Sequence, residues 1–163
     1  MPERVVVCNT SPLLYLHQVG RLELLRGLYG RVKIPSAVRD ELEAGAERGA
    51  DTPDLDRLSW IDVEPLPDTA LLPVVVDLGA GEAAAIALAL SFPESLLILD
   101  DGLGRRIARL NHLTFTGTLG VLVKAKQAGS VTEISPILEA LQRTTMYLSR
   151  DLIVKVLQEA GEI

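Results

Sequence analysis

The chain has 163 residues, a net charge of −6 and 48% apolar residues, of which few are aromatic. This length suits one domain with a sizeable core, and the longest apolar runs, such as 71–76, are too short to span a membrane. The single cysteine excludes an intrachain disulfide and a cysteine-based zinc site. Residues 1–4 lead directly into an apolar strand, so we expect no signal peptide and a cytoplasmic location.

Short apolar runs alternate with amphipathic segments along the chain, which predicts a mainly parallel sheet with helices on both faces. Strands are predicted at 5–8, 32–34, 60–63, 96–99 and 114–116. Helices are predicted from Ser11 (as N-cap, with Pro12 at the first helical position) and at 22–28, 36–45, 81–90, 103–110, 118–128, 134–144 and 151–160. Residues 65–73 show no clear pattern. We expect a single domain over 1–163, with about 130–163 as a C-terminal helical extension.

Charge is distributed unevenly. Residues 39–68 hold ten acidic and three basic side chains, whereas 102–126 hold basic side chains only: Arg105, Arg106, Arg109, Lys124 and Lys126. This basic stretch is compatible with an ordinary solvated helix face or with phosphate binding.

The strand predicted at 96–99 ends in two adjacent carboxylates, Asp100 and Asp101. The carboxyl ends of buried parallel strands border the crevice where ligands bind. Adjacent like charges at such a place indicate a cation, a shared proton or a basic partner. The alternative is that Asp101 caps the helix that follows and Asp100 is merely exposed.

Two helical acids belong with this pair. Glu41 and Glu82 each lie beside the apolar stripe of a helix that follows a strand, near the same edge of the predicted sheet. Each taken alone could be a residue that interacts favourably with the helix dipole. Together with Asp100 and Asp101 they predict an oxygen-rich cluster for Mg²⁺ or Mn²⁺, the ions that activate water in phosphodiester hydrolysis.

Five segments in this order resemble the PIN domain, the ribonuclease fold of many prokaryotic toxin–antitoxin pairs, and in particular a poorly characterised prokaryotic branch of that family. They are 9–14 (NTSPLL), 34–38 (IPSAV) followed by Glu41, 78–83 (LGAGEA), 99–101 (LDD) with Gly104 and Arg105, and 117–120 (GTLG). The resemblance covers nearly the whole chain. It implies a three-layer α/β/α fold with a mainly parallel central sheet and metal-binding acids at its carboxyl edge.

The resemblance also implies the chemistry. It suggests Glu41, Asp100 and either Glu82 or Asp101 as catalytic acids that hold Mg²⁺ or Mn²⁺, with Ser11 and Thr118 as polar supports. Single-stranded RNA is the implied substrate, and homodimers and a small antitoxin are the implied partners. We expect Arg105, Arg106 and Arg109 to contact RNA phosphates.

The chain departs from the family pattern at one position. PIN nucleases typically end the first strand with Asp, and this chain has Asn9. The amide oxygen of Asn9 is a possible metal ligand, but it brings no charge. Two interpretations stay open here: a modified metal site in which the Asp100-Asp101 pair compensates for the missing charge, or a binding or regulatory module that has lost catalysis. In such a module the apolar stripe of the last helix, Leu152, Ile153, Val156 and Leu157, packs against a partner or against its own core.

A rival interpretation concerns residues 74–84. The strand-like 74–76 and the G-x-G-x-x-A pattern of 79–84 resemble the glycine-rich loop of S-adenosylmethionine-dependent methyltransferases and of dinucleotide-binding domains. Against it, Glu82 places a carboxylate where an anionic ligand group would bind. The first 70 residues would also have no role.

Overall fold

Five parallel strands form one sheet in a computed structural model that describes residues 4–67, 72 and 77–163. The strand order is β3-β2-β1-β4-β5, and each neighbouring pair is parallel. The strands are β1 (Val6–Cys8), β2 (Val32–Pro35), β3 (Ile61–Glu64), β4 (Leu96–Ile98) and β5 (Thr114–Thr116). The predicted parallel α/β sheet is therefore confirmed.

Helices connect the strands and extend beyond the last one. They are α1 (Thr10–Gln18), α2 (Glu23–Tyr29), α3 (Ser36–Glu47), α4 (Ala80–Leu90), α5 (Gly102–Leu110), α6 (Thr118–Gln127), α7 (Ser135–Gln142) and α8 (Arg150–Glu159). A short 3₁₀ turn at Leu55–Arg57 lies within the acidic segment. None of the helices in the described ranges has the length and apolar character that crossing a bilayer requires.

The alternation of side chains along β1 divides the apolar core between the two faces of the sheet. Val6 and Cys8 pack with the residues of α1, α3 and α6, whereas Val7 packs with those of α4 and α5. Successive strand residues point to opposite faces, so a wholly apolar strand supplies both layers. Cys8 is completely buried, which fits its role as a small core residue.

The first helix begins two residues earlier than the sequence predicts. Asn9, with an extended backbone (φ −82°, ψ 173°), is the N-cap residue in place of Ser11, and α1 starts at Thr10. Ser11 and Pro12 therefore lie in the first turn, where proline is tolerated because the first backbone N–H groups have no partner within the helix. The shift places Asn9 directly between strand and helix.

Two predictions concern residues that the structure does not describe. The strand-like run at 74–76 lies outside the described residues, and so does most of the unclear segment 65–73. The described chain resumes at Asp77, and α4 starts at Ala80.

The last helices pack against the core through α6. Ile134, Leu138, Leu141 and Val156 are buried in the same apolar cluster as α1 and α6. On α8, Ile153 and Leu157 pack against that cluster, whereas Leu152 remains 38% exposed. The apolar stripe of the last helix thus covers its own core, apart from Leu152.

Glu162 ties the end of this helical unit to α6 and α7. Its side chain is only 8% exposed and accepts hydrogen bonds from Ile134 N (2.8 Å), Ser135 N (3.1 Å) and Ser135 Oγ (2.5 Å). Lys126 Nζ lies 3.1 Å from the same carboxylate. Burial by itself raises the pKa of Glu162, but the hydrogen bonds from Ile134, Ser135 and Lys126 outweigh it and lower the pKa to about 2.

This arrangement predicts a pH-dependent contribution to stability. The folded-state pKa of Glu162 lies below its ordinary value of 4.5, so the stabilisation is complete above pH 4.5 and is lost as the pH falls towards 2. We expect Glu162→Gln to lower the free energy of unfolding by about 1–3 kcal/mol at pH 7, and by less at pH 3. Urea unfolding of both proteins at the two pH values measures this. If the two proteins differ equally in free energy of unfolding at pH 7 and pH 3, the lowered pKa of Glu162 does not contribute to stability.

Candidate active site

A cleft of about 530 Å³ lies between the carboxyl edge of the sheet and the C-terminal helical unit. Its polar side includes Ser11 after β1, Glu82 on α4, and Asp100, Asp101 and Arg105 around the end of β4. The opposite wall comes from the loop between α7 and α8 and from α8 itself. The structure thus brings three of the four predicted acids to one cleft, at the edge of the sheet where the sequence placed them.

Asp100 is fixed in this cleft by the start of α6. Thr118 N donates to its Oδ1 (2.8 Å) and Thr118 Oγ1 donates to its Oδ2 (2.6 Å). The intervening Gly117 allows this close approach, because a Cβ there would lie 2.6 Å from Asp100 Oδ1 and 2.0 Å from Arg105 Nη2. Thr118 is itself fully buried, so it supports Asp100 and does not reach a substrate.

Asn9 is buried after β1, and Asp100 follows the adjacent strand β4. The backbone N of Asn9 donates to Ile98 O on the neighbouring strand (3.0 Å), and its side chain is 1% exposed. The Oδ1 atom of Asn9 is buried, with no hydrogen-bond partner among the described residues. Because buried oxygens are nearly always paired, this atom suits a cation or a water molecule as its partner.

Glu41 does not line the cleft. Its Oε2 accepts from Thr10 Oγ1 (2.5 Å) and its Oε1 accepts from Gly81 N (2.9 Å). The lack of a side chain at Gly81 permits this contact, because a Cβ there would lie 2.5 Å from Glu41 Oε2. Glu41 thereby links the first turns of α1 and α4, next to Asn9. We therefore interpret it as a positioning residue.

This interpretation predicts that Glu41 acts on stability more than on metal binding. We expect Glu41→Ala to lower the free energy of unfolding by about 1–3 kcal/mol, because Gly81 N and the Thr10 hydroxyl lose their acceptor. In Glu41→Gln the amide can accept from Gly81 N and donate to Thr10 Oγ1, so we expect a smaller loss. Denaturant midpoints and Mn²⁺ titration of the three proteins measure both effects. A Gln variant that is stable but has lost Mn²⁺ affinity would make Glu41 a ligand.

Asp101 and Glu82 have different surroundings in the cleft. Asp101 caps α5, with Gly104 N donating to its Oδ2 (2.7 Å), and it is exposed. The capping alternative from the sequence is thus confirmed for Asp101. Glu82 is half-buried, and no described residue donates a hydrogen bond to its carboxylate. Glu82 therefore has oxygens free to accept a proton or to bind a cation.

The described residues meet the needs of a divalent cation only in part. Within residues 4–67, 72 and 77–163, no three acidic, His or Cys side chains lie close enough together to share a metal ion. Hard cations also accept neutral oxygens, and the unpartnered Asn9 Oδ1 follows the strand beside the one that ends at Asp100. Asp100 and Asn9 therefore fit as one charged and one neutral ligand, and Glu82 is an acid of the cleft lining to which no described residue donates a hydrogen bond.

The three arginines predicted to bind phosphates do not all lie at the same site in the structure. Arg105 lines the cleft, and its Nε donates to Leu99 O (2.8 Å). Arg105 and Arg109 lie on the Phe115 ring, each 5.5 Å from its centroid, and Arg109 and Arg106 are exposed outside the cleft lining. Of the three, only Arg105 lines the cleft.

Sequence reasoning missed the opposite wall of the cleft. Tyr147 and Lys155 belong to it, and Tyr15 of α1 adjoins it. None of the three belongs to a recognisable motif. The hydrogen bond between Tyr15 Oη and Thr145 Oγ1 (3.1 Å) joins residues 130 positions apart in the chain. This wall forms only because the C-terminal unit packs against α1. No local sequence pattern therefore predicts it.

In the glycine-rich loop of the rival interpretation, a side chain of the protein itself takes the place of a ligand. The amide of Gly81, which a phosphate or carboxylate ligand would need at the helix N-terminus, donates to Glu41. The strand that would precede the loop lies outside the described residues. The structure thus gives the rival interpretation no support.

Comparison with known proteins agrees with the resemblance seen in the sequence. A family model described as PIN domain matches residues 5–162. None of the curated proteins compared with the chain matches it.

Proposed function

Because this chain belongs to the PIN-domain family, we propose that it is a metal-dependent endoribonuclease that hydrolyses single-stranded RNA. The observation that carries the proposal is a pair of side chains that follow the adjacent strands β1 and β4. Asp100 lines the cleft and is fixed by two hydrogen bonds, and Asn9, outside the cleft lining, has a buried Oδ1 that lacks a partner among the described residues. The family suggests further that the protein is a cytoplasmic homodimer and the toxin of a pair with a small antitoxin.

Asp100 and Asn9 would hold a Mg²⁺ or Mn²⁺ ion in this site. When bound, such an ion lowers the pKa of a coordinated water molecule and neutralises negative charge on a phosphodiester. Thr118 keeps both carboxylate oxygens of Asp100 in one orientation, which reduces the reorganisation needed on binding. Asp101 is expected to add negative charge at the rim, although its Oδ2 is already engaged as a helix cap.

Three side chains that line the cleft would take part in the reaction directly. Glu82 has no donor among the described residues, so its carboxylate can accept a proton from attacking water. Arg105 is anchored through Nε to Leu99 O and against Phe115, which leaves its terminal nitrogens for a phosphate oxygen. Ser11, half-buried in the lining of the cleft, offers a hydroxyl to the substrate.

Cleavage of a labelled single-stranded RNA pool tests the proposal. We expect cleavage by the wild-type chain in Mn²⁺ or Mg²⁺ and none in chelator. The absence of cleavage by folded wild-type protein in any divalent metal would overturn the enzyme assignment.

The second candidate is a PIN-fold binding module without catalysis. Two observations favour it: Asn9 brings no charge to the site, and both oxygens of Glu41 are engaged within the fold. Such a module would bind RNA or a partner protein through the same cleft. It predicts RNA binding without metal-dependent cleavage, so the same RNA assay separates the two candidates.

A further inference from the structure

The cleft holds an unusually large share of the aromatic residues of this chain. Three of its six aromatic residues, Tyr15, Phe115 and Tyr147, line this one cleft. The three rings differ in how far other side chains cover them. Phe115 is covered by Arg105 and Arg109, and Tyr15 is half-buried with its hydroxyl bonded to Thr145. Tyr147 is 86% exposed, so its ring is free to accept a flat partner.

The loop that carries Tyr147 is fixed at both ends. Before it, Thr144 Oγ1 donates to Leu141 O (2.5 Å) and accepts from Met146 N (3.2 Å). After it, Ser149 caps α8 by accepting from Leu152 N (3.2 Å). The Tyr15–Thr145 hydrogen bond holds the loop to α1. The exposed ring therefore stands on an ordered support, which lowers the entropy lost on binding.

Charge alone does not favour an RNA strand in this cleft. Glu82, Asp100, Asp101 and Glu159 outnumber its two basic residues, Arg105 and Lys155. Phosphate attraction is accordingly weak, and another interaction must contribute to the affinity for a nucleotide. Stacking of bases on aromatic rings is the usual one in single-strand recognition.

We infer that Tyr147 forms a nucleobase-stacking subsite, in which one base of single-stranded RNA lies on its ring while Lys155 contacts an adjacent phosphate. The inference rests on the proposed function and names how that cleft recognises its substrate. A nucleotide matches both features of this wall, because its base can stack on the Tyr147 ring and its phosphate can form an ion pair with Lys155. An apolar peptide segment would leave Lys155 and the facing carboxylates desolvated without partners.

Binding of a short fluorescent single-stranded RNA in chelator, followed by anisotropy at low salt, tests this without requiring catalysis. We expect Tyr147→Ala to weaken binding by about fivefold to a hundredfold. Tyr147→Phe keeps the ring and should bind within about twofold of the wild type. Val154→Ala truncates a residue of α8 that is 38% exposed and outside the cleft, and it should leave RNA binding unchanged. Tyr147 is exposed, so its truncation should not unfold the chain.

A second RNA that carries abasic sites identifies the partner of the ring. With that RNA, the difference between wild type and Tyr147→Ala should disappear. Equal RNA binding by these two proteins, no RNA binding by the wild type, or a full loss that persists on abasic RNA would each overturn the subsite. Since the assay contains no metal, a failure of metal-dependent cleavage alone would overturn the nuclease and leave the stacking subsite standing.

Discussion

Asp100→Asn is expected to abolish metal-dependent RNA cleavage while leaving the fold intact. Removing one unit of charge beside a cation loses about 4 kcal/mol at intermediate dielectric, which corresponds to about a thousandfold in rate or metal affinity. The fold should tolerate the change, because the new amide can accept from Thr118 N and donate to Thr118 Oγ1 in place of the present pair of bonds. We therefore expect the free energy of unfolding to change by less than about 1 kcal/mol.

Asp54→Asn is a matched control for the Asp100 variant. Asp54 also accepts a backbone hydrogen bond, from Asp56 N, at the start of a short helical turn outside the cleft. Rates of cleavage of one labelled RNA, together with urea unfolding, measure both variants. Equal activity of Asp100→Asn and wild type would remove Asp100 from the reaction, and a parallel loss in Asp54→Asn would point to a general effect of charge.

The arrangement of strands and the place of Asp100 could be predicted because both depend on local patterns. A wholly apolar strand followed by two acids specifies a buried parallel strand and its carboxyl edge, and β4 and Asp100 are found there. The start of α1 was predicted two residues too late, because Ser-Pro is a common helix-start signal and the extended backbone of Asn9 is set by β1.

The partners within the site could not be predicted, since they depend on close approach between distant segments. Helical periodicity placed Glu41 beside the core-facing side of α3, but it did not predict the contact with Gly81, whose missing side chain admits the carboxylate. Likewise, Thr118 was expected to support the pocket, and the structure supplies the reason, two hydrogen bonds to Asp100. Tyr147 carries no pattern at all and becomes part of the cleft only through the packing of α8.

Asn9→Asp is expected to have opposite effects with and without a divalent metal. Asn9 is 1% exposed and has Asp100 after the adjacent strand, so in chelator the variant buries a second, uncompensated negative charge. We expect a loss of about 3 kcal/mol, or about 6–12 °C in Tm for a chain of this size. With Mn²⁺ the added charge should tighten metal binding by about a hundredfold or more and restore the Tm. Thermal melts in chelator and in Mn²⁺, with Mn²⁺ titration, measure this.

Asn9→Leu is the matched control, because it keeps a similar side-chain volume and removes the unpartnered oxygen. We expect it to raise the free energy of unfolding by about 1–3 kcal/mol in chelator and to make the Tm insensitive to Mn²⁺. An Asn9→Asp variant with unchanged Mn²⁺ affinity would place Asn9 outside the metal site. Cleavage that appears only in Asn9→Asp, from an inactive wild type, would instead establish the binding module, with the neutral amide at position 9 as the physical reason for its inactivity.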